Sequence, residues 1–126
     1  MENTRIYDIV ICVSTQIDIQ PFIHQLDVAS DMLGLISEPT RLKILWVLLH
    51  GDHSVNELAE EVSAQQAAVS QHLAKLRAAQ LVKARRDGNR MFYITDNTHV
   101  RKVIQQALSH AEHVTQGHDN DMEEQE

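Results

Sequence analysis

The sequence predicts a mostly α-helical domain with one small β-hairpin, the arrangement called a winged helix-turn-helix. Apolar residues recur at three- and four-residue steps in several successive segments, which is typical of amphipathic helices. Two such segments lie between Ser54 and Ala79 with only a tight turn between them, and a strand-like alternation then surrounds Asp87-Gly88-Asn89. The chain has 126 residues and 43% apolar composition, so we expect a single core and a single domain.

The first two predicted helices lie before Ser54. An amphipathic pattern covers Phe22 to Ile36. Pro39 then suits the first position of a second, largely buried helix that ends near Gly51, and we expect Trp46 to pack in or near the core. The sequence therefore places two helices ahead of the helix-turn-helix pair.

The helix-turn-helix pair begins with a capping signal. Ser54 and Glu57 have the spacing of a capping box, which predicts the start of the third helix. The fourth helix runs from about Ala64 to Ala79, with Ser63 as its expected cap. Polar side chains on this fourth helix can bond base edges or phosphates. The candidate DNA contacts are Gln65, Gln66, Ser70, Gln71, His72 and Lys75.

The predicted hairpin is the wing of the fold. Leu81 to Asp87 and Arg90 to Thr95 alternate in the manner of strands around a turn whose Gly and Asn tolerate positive φ. Arg85, Arg86 and Arg90 fall at its tip, from where they can reach a minor groove or flanking phosphates.

Charge is unevenly distributed along the chain. The formal net charge is −7, yet residues 63–93 hold six Lys or Arg against one acid, while residues 112–126 hold acids and neither Lys nor Arg. A basic stripe in an acidic protein indicates a surface that binds the phosphates of a nucleic acid. The alternative interpretation is a charged face that is simply solvated.

The last predicted helix carries both an apolar stripe and histidines. It begins near Thr98, with Asp96 or Asn97 as its cap, and its apolar stripe suits a dimer interface. His99 and His110 share a helix face to within roughly 20° but lie about 16 Å apart along the axis, too far for one ion. Antiparallel pairing with a second copy brings His99 of one subunit beside His110 and His113 of the other. We therefore expect two symmetric metal sites per dimer.

The run of motifs from about Leu33 to His113 resembles the ArsR/SmtB family of winged-helix metal-responsive repressors. The segments that carry the resemblance are Glu38 to Leu45, Val55 to Ala59, Ala68 to Leu73, the hairpin Leu81 to Tyr93, Thr98 to Val100 and His110 to His113. The resemblance implies a homodimer formed through the first and last helices, with operator DNA released when metal binds.

The resemblance also implies where the metal lies. The family's thiolate site is absent, because its cysteine positions read Ser54-Val55-Asn56 here. In the family's last-helix site, which is used for zinc, cobalt or nickel, His99, His110 and His113 match three of the ligand positions. The first ligand position is Asp in the family and Asn97 here, which is a weaker, uncharged ligand. Substitutes that complete the site are Asp96 beside it, His118 or Asp119 in the tail, and His24 or Cys12 near the N-terminus.

The sequence thus predicts a homodimeric repressor that leaves its operator when Zn²⁺, Co²⁺ or Ni²⁺ binds, and no enzyme. We expect an N-terminal extension of uncertain order at 1–20, the domain at 21–115 and an acidic disordered tail at 116–126. The single cysteine excludes an internal disulfide, and the absence of a membrane-length apolar run or signal peptide predicts a cytoplasmic location without a membrane partner. Two alternatives stay open: a metal-independent regulator of the same fold, and a winged-helix module that binds protein.

Overall fold

The computed structural model describes residues 16–123, and the side chains of residues 16–117. The chain divides into two compact units, residues 1–33 and 34–126, and each is considered by itself. A 3-10 turn, Gln20–Phe22, precedes α1, and the elements follow in the order α1 (Ile23–Ser37), α2 (Pro39–Leu48), α3 (Val55–Val62), α4 (Gln66–Ala78), β1 (Lys83–Asp87), β2 (Arg90–Ile94) and α5 (Thr98–Glu123). The predicted mostly helical fold with one hairpin is confirmed.

The core of the second unit is built from one face of each helix from α2 to α5. Arg101 on α5 also donates from Nη2 to the carbonyl oxygen of Leu49 at 3.2 Å, which ties α5 to the end of α2. The largest fully buried side chains are Ile44, Leu45, Leu58, Val69, Leu73, Leu76, Val100 and Ile104. Those on α2, α3 and α4 are inward positions that the helical periodicity predicts. Val100 and Ile104 belong to the apolar stripe of α5 that was expected at a dimer interface, and they are buried within the domain itself.

Helix α2 starts as predicted and ends earlier than predicted. Pro39 occupies its first turn, and the side chain of Glu38 accepts a hydrogen bond from the backbone N–H of Arg41 at 2.8 Å. The helix ends at Leu48 rather than near Gly51. Trp46 was expected in or near the core, but 42% of it is exposed. The buried face of α2 contains residue 44, and residue 46 lies about 200° around the helix from it.

The capping box of α3 is confirmed, whereas the predicted cap of α4 is wrong. Glu57 N–H donates to Ser54 Oγ and Ser54 N–H donates to Glu57 Oε1, both at 3.2 Å. Ser63 instead ends α3 in the left-handed conformation, with φ 55°. The short turn between the two helices requires this backbone reversal, so α4 starts after Gln65, whose side chain makes no capping bond.

The hairpin forms with the predicted turn. Asp87 pairs with Arg90, and Gly88 has a φ of 63°, which glycine adopts without strain. A single bridge joins the outer edge of β2 to the segment before α3: Tyr93 N–H donates to His53 O at 2.8 Å, and His53 N–H donates to Tyr93 O at 3.2 Å. This bridge attaches the wing to the helix-turn-helix.

Helix α5 begins at Thr98, as predicted, and continues to Glu123. It therefore passes residue 116, where the sequence predicts a disordered tail to begin. Within the described residues, no helix is long and apolar enough to span a membrane. Most of the predicted extension, including Cys12, lies outside the described residues, as do the side chains of His118 and Asp119.

Candidate nucleic-acid interface and metal ligands

Helix α4 presents a polar strip to solvent. Its inner face is anchored by Val69, Leu73 and Leu76, which are at most 1% exposed. Because these positions fix the rotation of the helix, the intervening residues point outward. The exposed candidates are Gln65, Gln66, Ser70, Gln71 and Lys75. Five of the six DNA-contact candidates in or next to α4 are thus exposed to solvent.

His72 is the sixth candidate, and its ring is held against the protein. Its side chain is 20% exposed, and Nδ1 lies 3.2 Å from Nη1 of Arg41. A guanidinium only donates, so Nδ1 is the acceptor in this contact. Arg41 Nε also donates to the carbonyl oxygen of Leu35 at 2.7 Å. Arg41 therefore links the recognition helix α4 to the last turn of α1.

Glu38 completes this cluster. Its Oε2 lies 3.8 Å from Nδ1 of His72 and accepts from the backbone N–H of Arg41. That backbone hydrogen bond is the main cause that lowers the pKa of the Glu38 carboxyl. The carboxylate is thereby kept ionised beside the Arg41 guanidinium.

The three wing arginines do not form one cluster. Arg85 Nη2 donates to Asp52 Oδ2 at 2.9 Å, and Arg90 Nη2 donates to Glu57 Oε1 at 3.2 Å. Arg86 is exposed and pairs across the hairpin with Met91 instead. The sequence could not separate the three, because the acids that hold Arg85 and Arg90 are about 30 residues away in the chain.

Glu57 joins the cap of α3 to the wing. It accepts from Arg90 with the same Oε1 that accepts from the backbone of Ser54. Hydrogen bonds from the side chain and backbone of Ser54 are the main causes that lower the pKa of Glu57, and the charge of Arg90 lowers it further. One carboxylate thus serves both the start of α3 and the position of the hairpin.

The three histidine candidates for metal are exposed on α5. His99 lies in its first turn, while His110 and His113 are one turn apart farther along the same helix. Imidazole nitrogen is a donor that zinc, cobalt and nickel all accept. Among the described residues, no group of three His, Cys, Asp or Glu side chains comes together in one chain. The histidines fit a metal as donors, although the described chain does not bring the three together.

The two oxygen candidates have structural partners. Asn97 Oδ1 accepts from the backbone N–H of His99 at 2.9 Å and of Val100 at 3.3 Å, so Asn97 caps α5. The carboxylate of Asp96 lies 3.2 Å from Nζ of Lys83 in an exposed ion pair. A metal that recruits either oxygen must compete with these contacts.

An apolar groove lies beside the histidine helix within the second unit. It is lined by Leu42, Lys43, Trp46, Ile104 and Leu108. Trp46 and Leu108 are 42% and 41% exposed there, which is unusual for large apolar side chains in one place. The outward position of residue 46 on α2 is the sequence signal that identifies Trp46 as a surface residue.

Comparison with known proteins supports this description. Residues 38–84 match the family model described as bacterial regulatory protein, arsR family. The chain is 46% identical over 87 residues to the HTH-type transcriptional regulator KmtR of Mycobacterium tuberculosis, covering 69% of this chain and 67% of KmtR. It is 32% identical over 92 residues to the cadmium resistance transcriptional regulatory protein CadC homolog of Staphylococcus aureus, covering 72% and 75%.

Structural comparison finds the same fold. The homodimeric winged helix-turn-helix DNA-binding domain Mb0332 from Mycobacterium bovis superposes with a TM-score of 0.69 at 24% identity. The match covers 83% of this chain and 95% of that domain. At this identity the likeness concerns the fold, which is the one predicted from the periodicity and the hairpin.

Proposed function

The chain belongs to the arsR family of bacterial regulatory proteins, and from that premise we propose that it is a homodimeric repressor, released from operator DNA by zinc, cobalt or nickel. The family and the relatives are DNA-binding transcriptional regulators, which confirms that the chain is not an enzyme. The coupling between DNA and metal, and the choice of metal, are what the proposal adds.

The exposed strip of α4 is the observation that carries the DNA-binding part. In helix-turn-helix proteins, the second helix of the pair enters the major groove. Gln65, Gln66 and Gln71 offer amide groups that can pair with base edges, and Lys75 offers a charge for phosphate. The buried anchors on the opposite face hold this strip in one orientation. Two copies related by dimer symmetry then address successive major grooves, about 34 Å apart.

The exposed histidines of α5 support the metal-sensing part. Antiparallel pairing of two α5 helices brings His99 of one protomer to His110 and His113 of its partner. The name of the Staphylococcus aureus relative connects a similar regulator with cadmium resistance. In this chain, metal binding favours a dimer geometry in which the two α4 helices no longer match the grooves.

Asn97 favours a second candidate, a metal-independent regulator of the same fold. Its side-chain oxygen, at the position of the missing Asp, already caps α5. Asp96 is paired with Lys83. In this alternative the histidines only pack at the dimer interface.

Fluorescence anisotropy separates the two candidates. The probe is duplex DNA from immediately upstream of the protein's own gene, titrated at fixed salt with and without each metal. The metal-sensing repressor binds DNA tightly without metal and loses at least tenfold in affinity with one of the three. Indifference to all three metals contradicts metal sensing and favours the second candidate.

Histidine variants locate the sensor. His99→Ala and His110→Ala should bind DNA with the affinity of the original chain and no longer respond to metal. Gln106→Ala, an exposed substitution on the same helix, is the matched control and should respond normally. A His110→Ala protein that still releases DNA with metal shows that the site lies elsewhere.

A further inference from the structure

The two faces of the wing have different tasks: we propose that Arg86 contacts the DNA backbone, while Arg85 and Arg90 act as positioning residues that hold the hairpin against α3. The inference rests on the DNA-binding function proposed above and goes beyond it by dividing the wing's arginines. It concerns their contacts with phosphate, not the operator sequence.

The register of the hairpin divides the arginines. Arg85 pairs with Phe92, Arg86 with Met91, and Asp87 with Arg90. Successive side chains of a strand point to opposite faces, and paired residues share a face. Arg85, Arg90 and Phe92 therefore lie on one face of the wing, and Arg86 lies on the other.

The face with two arginines is turned to one acid on α3 and one in the segment before it. Arg85 reaches Asp52 and Arg90 reaches Glu57. Both guanidinium carbons also lie near the Phe92 ring, at 5.4 Å and 5.0 Å from its centroid. Each exposed ion pair is weak alone, but two pairs and the ring act on one short hairpin. Their positive charge is matched by carboxylates, so it adds little to the attraction for DNA.

One residue of the other face, Tyr93, lies beside α4. Tyr93 shares this face with Arg86, and its side chain lines a surface depression together with Ser70, Ala74 and Arg77 of α4. Arg86 is exposed, and within the part of the chain whose side chains are described it forms no ion pair. Its charge is therefore available on the same side as the exposed strip of α4.

The salt dependence of DNA binding tests this division. Each phosphate neutralised by the protein contributes about 0.9 to the slope of log affinity against log salt concentration. The full-length dimer and its variants are titrated by anisotropy on the upstream duplex and on a random duplex of equal length, at several salt concentrations. Arg86→Ala should lower the slope by about 0.9 for each protomer, or about 1.8 for the dimer.

The positioning residues should give a different signature. Arg85→Ala and Arg90→Ala should reduce affinity severalfold at every salt concentration and leave the slope unchanged. Arg86→Lys should restore the slope lost in Arg86→Ala, because it restores the charge. Circular dichroism and the dimer mass of each variant check that it is folded.

Two results overturn the division. One is an equal loss of slope in Arg85→Ala and Arg86→Ala, which means that Arg85 exchanges its carboxylate for phosphate. The other is an unchanged slope in Arg86→Ala, which means that Arg86 neutralises no phosphate. Both results can be interpreted only when the protein without substitutions binds DNA. An original chain that binds neither duplex overturns the proposed DNA-binding function together with this inference.

Discussion

Replacing Ser54 with Ala measures how far the domain depends on the cap of α3. The substitution removes the Oγ that accepts from Glu57 N–H at 3.2 Å, and Ser54 is only 8% exposed, so water replaces that bond poorly. Loss of such a cap lowers the free energy of unfolding by about 1 kcal/mol. We expect a change of this size, corresponding to a decrease in Tm of about 4 °C.

Equilibrium urea denaturation at one fixed protein concentration is the suitable assay, because the stability of a dimer depends on concentration. The midpoint should fall while the denaturant slope stays constant. Ser109→Ala on the exposed surface of α5 is the control, and it should change the free energy of unfolding by less than about 0.5 kcal/mol. Equal midpoints for Ser54→Ala and the original chain would refute the argument, because the cap would then contribute nothing to stability.

Three further predictions concern the backbone, the core and pH. Gln80 has a φ of 63°, so Gln80→Gly should raise the free energy of unfolding by about 1 kcal/mol in the same urea assay; no increase contradicts backbone strain there. Leu73 is 1% exposed and anchors the recognition helix, so Leu73→Ala should lower that free energy by about 3 kcal/mol and weaken DNA binding, and a loss below 1 kcal/mol contradicts its role as an anchor. The hydrogen bond from Arg41 N–H holds the folded pKa of Glu38 below its ordinary value of 4.5, so its contribution to stability is present above pH 4.5 and is lost as pH falls through the lowered folded pKa. As the pH is lowered from 6 to 3, the urea midpoint should therefore fall less for Glu38→Gln than for the protein without substitutions. Identical dependences of the midpoint on pH contradict the stabilising role of the Glu38 carboxylate.

Local patterns were sufficient wherever neighbouring residues decide the structure. The capping box of Ser54 and Glu57 depends on two residues three apart, and the hairpin turn depends on the tolerance of Gly88 for positive φ. The inner positions of α4 follow from helical periodicity and are confirmed by Leu73 and its neighbours. For the same reason, the exposed strip of the candidate DNA-binding surface could be predicted from the sequence.

Local patterns did not predict features that depend on turn geometry, on the rotation of a helix or on contacts between distant segments. The left-handed Ser63 was expected to cap α4, because a polar residue at that position suits either role until the turn geometry is known. His72 was grouped with the solvent-facing residues, since no local rule indicates that Arg41 lies beside its ring. Trp46 was assigned to the core on its apolar character alone, although the rotation of α2 points it outward.

The sequence by itself determined the order of the helices, the hairpin, the polar strip of α4 and the histidines of α5, since each is encoded by residues within a few positions of one another. The tertiary structure alone decided which wing arginines pair with acids in and before α3, and which one lies on the opposite face of the hairpin. It also showed that Asp96 pairs with Lys83. The physical reason is that an ion pair or a shared face requires two segments in register, and that register is set by the packing of the whole domain rather than by either segment.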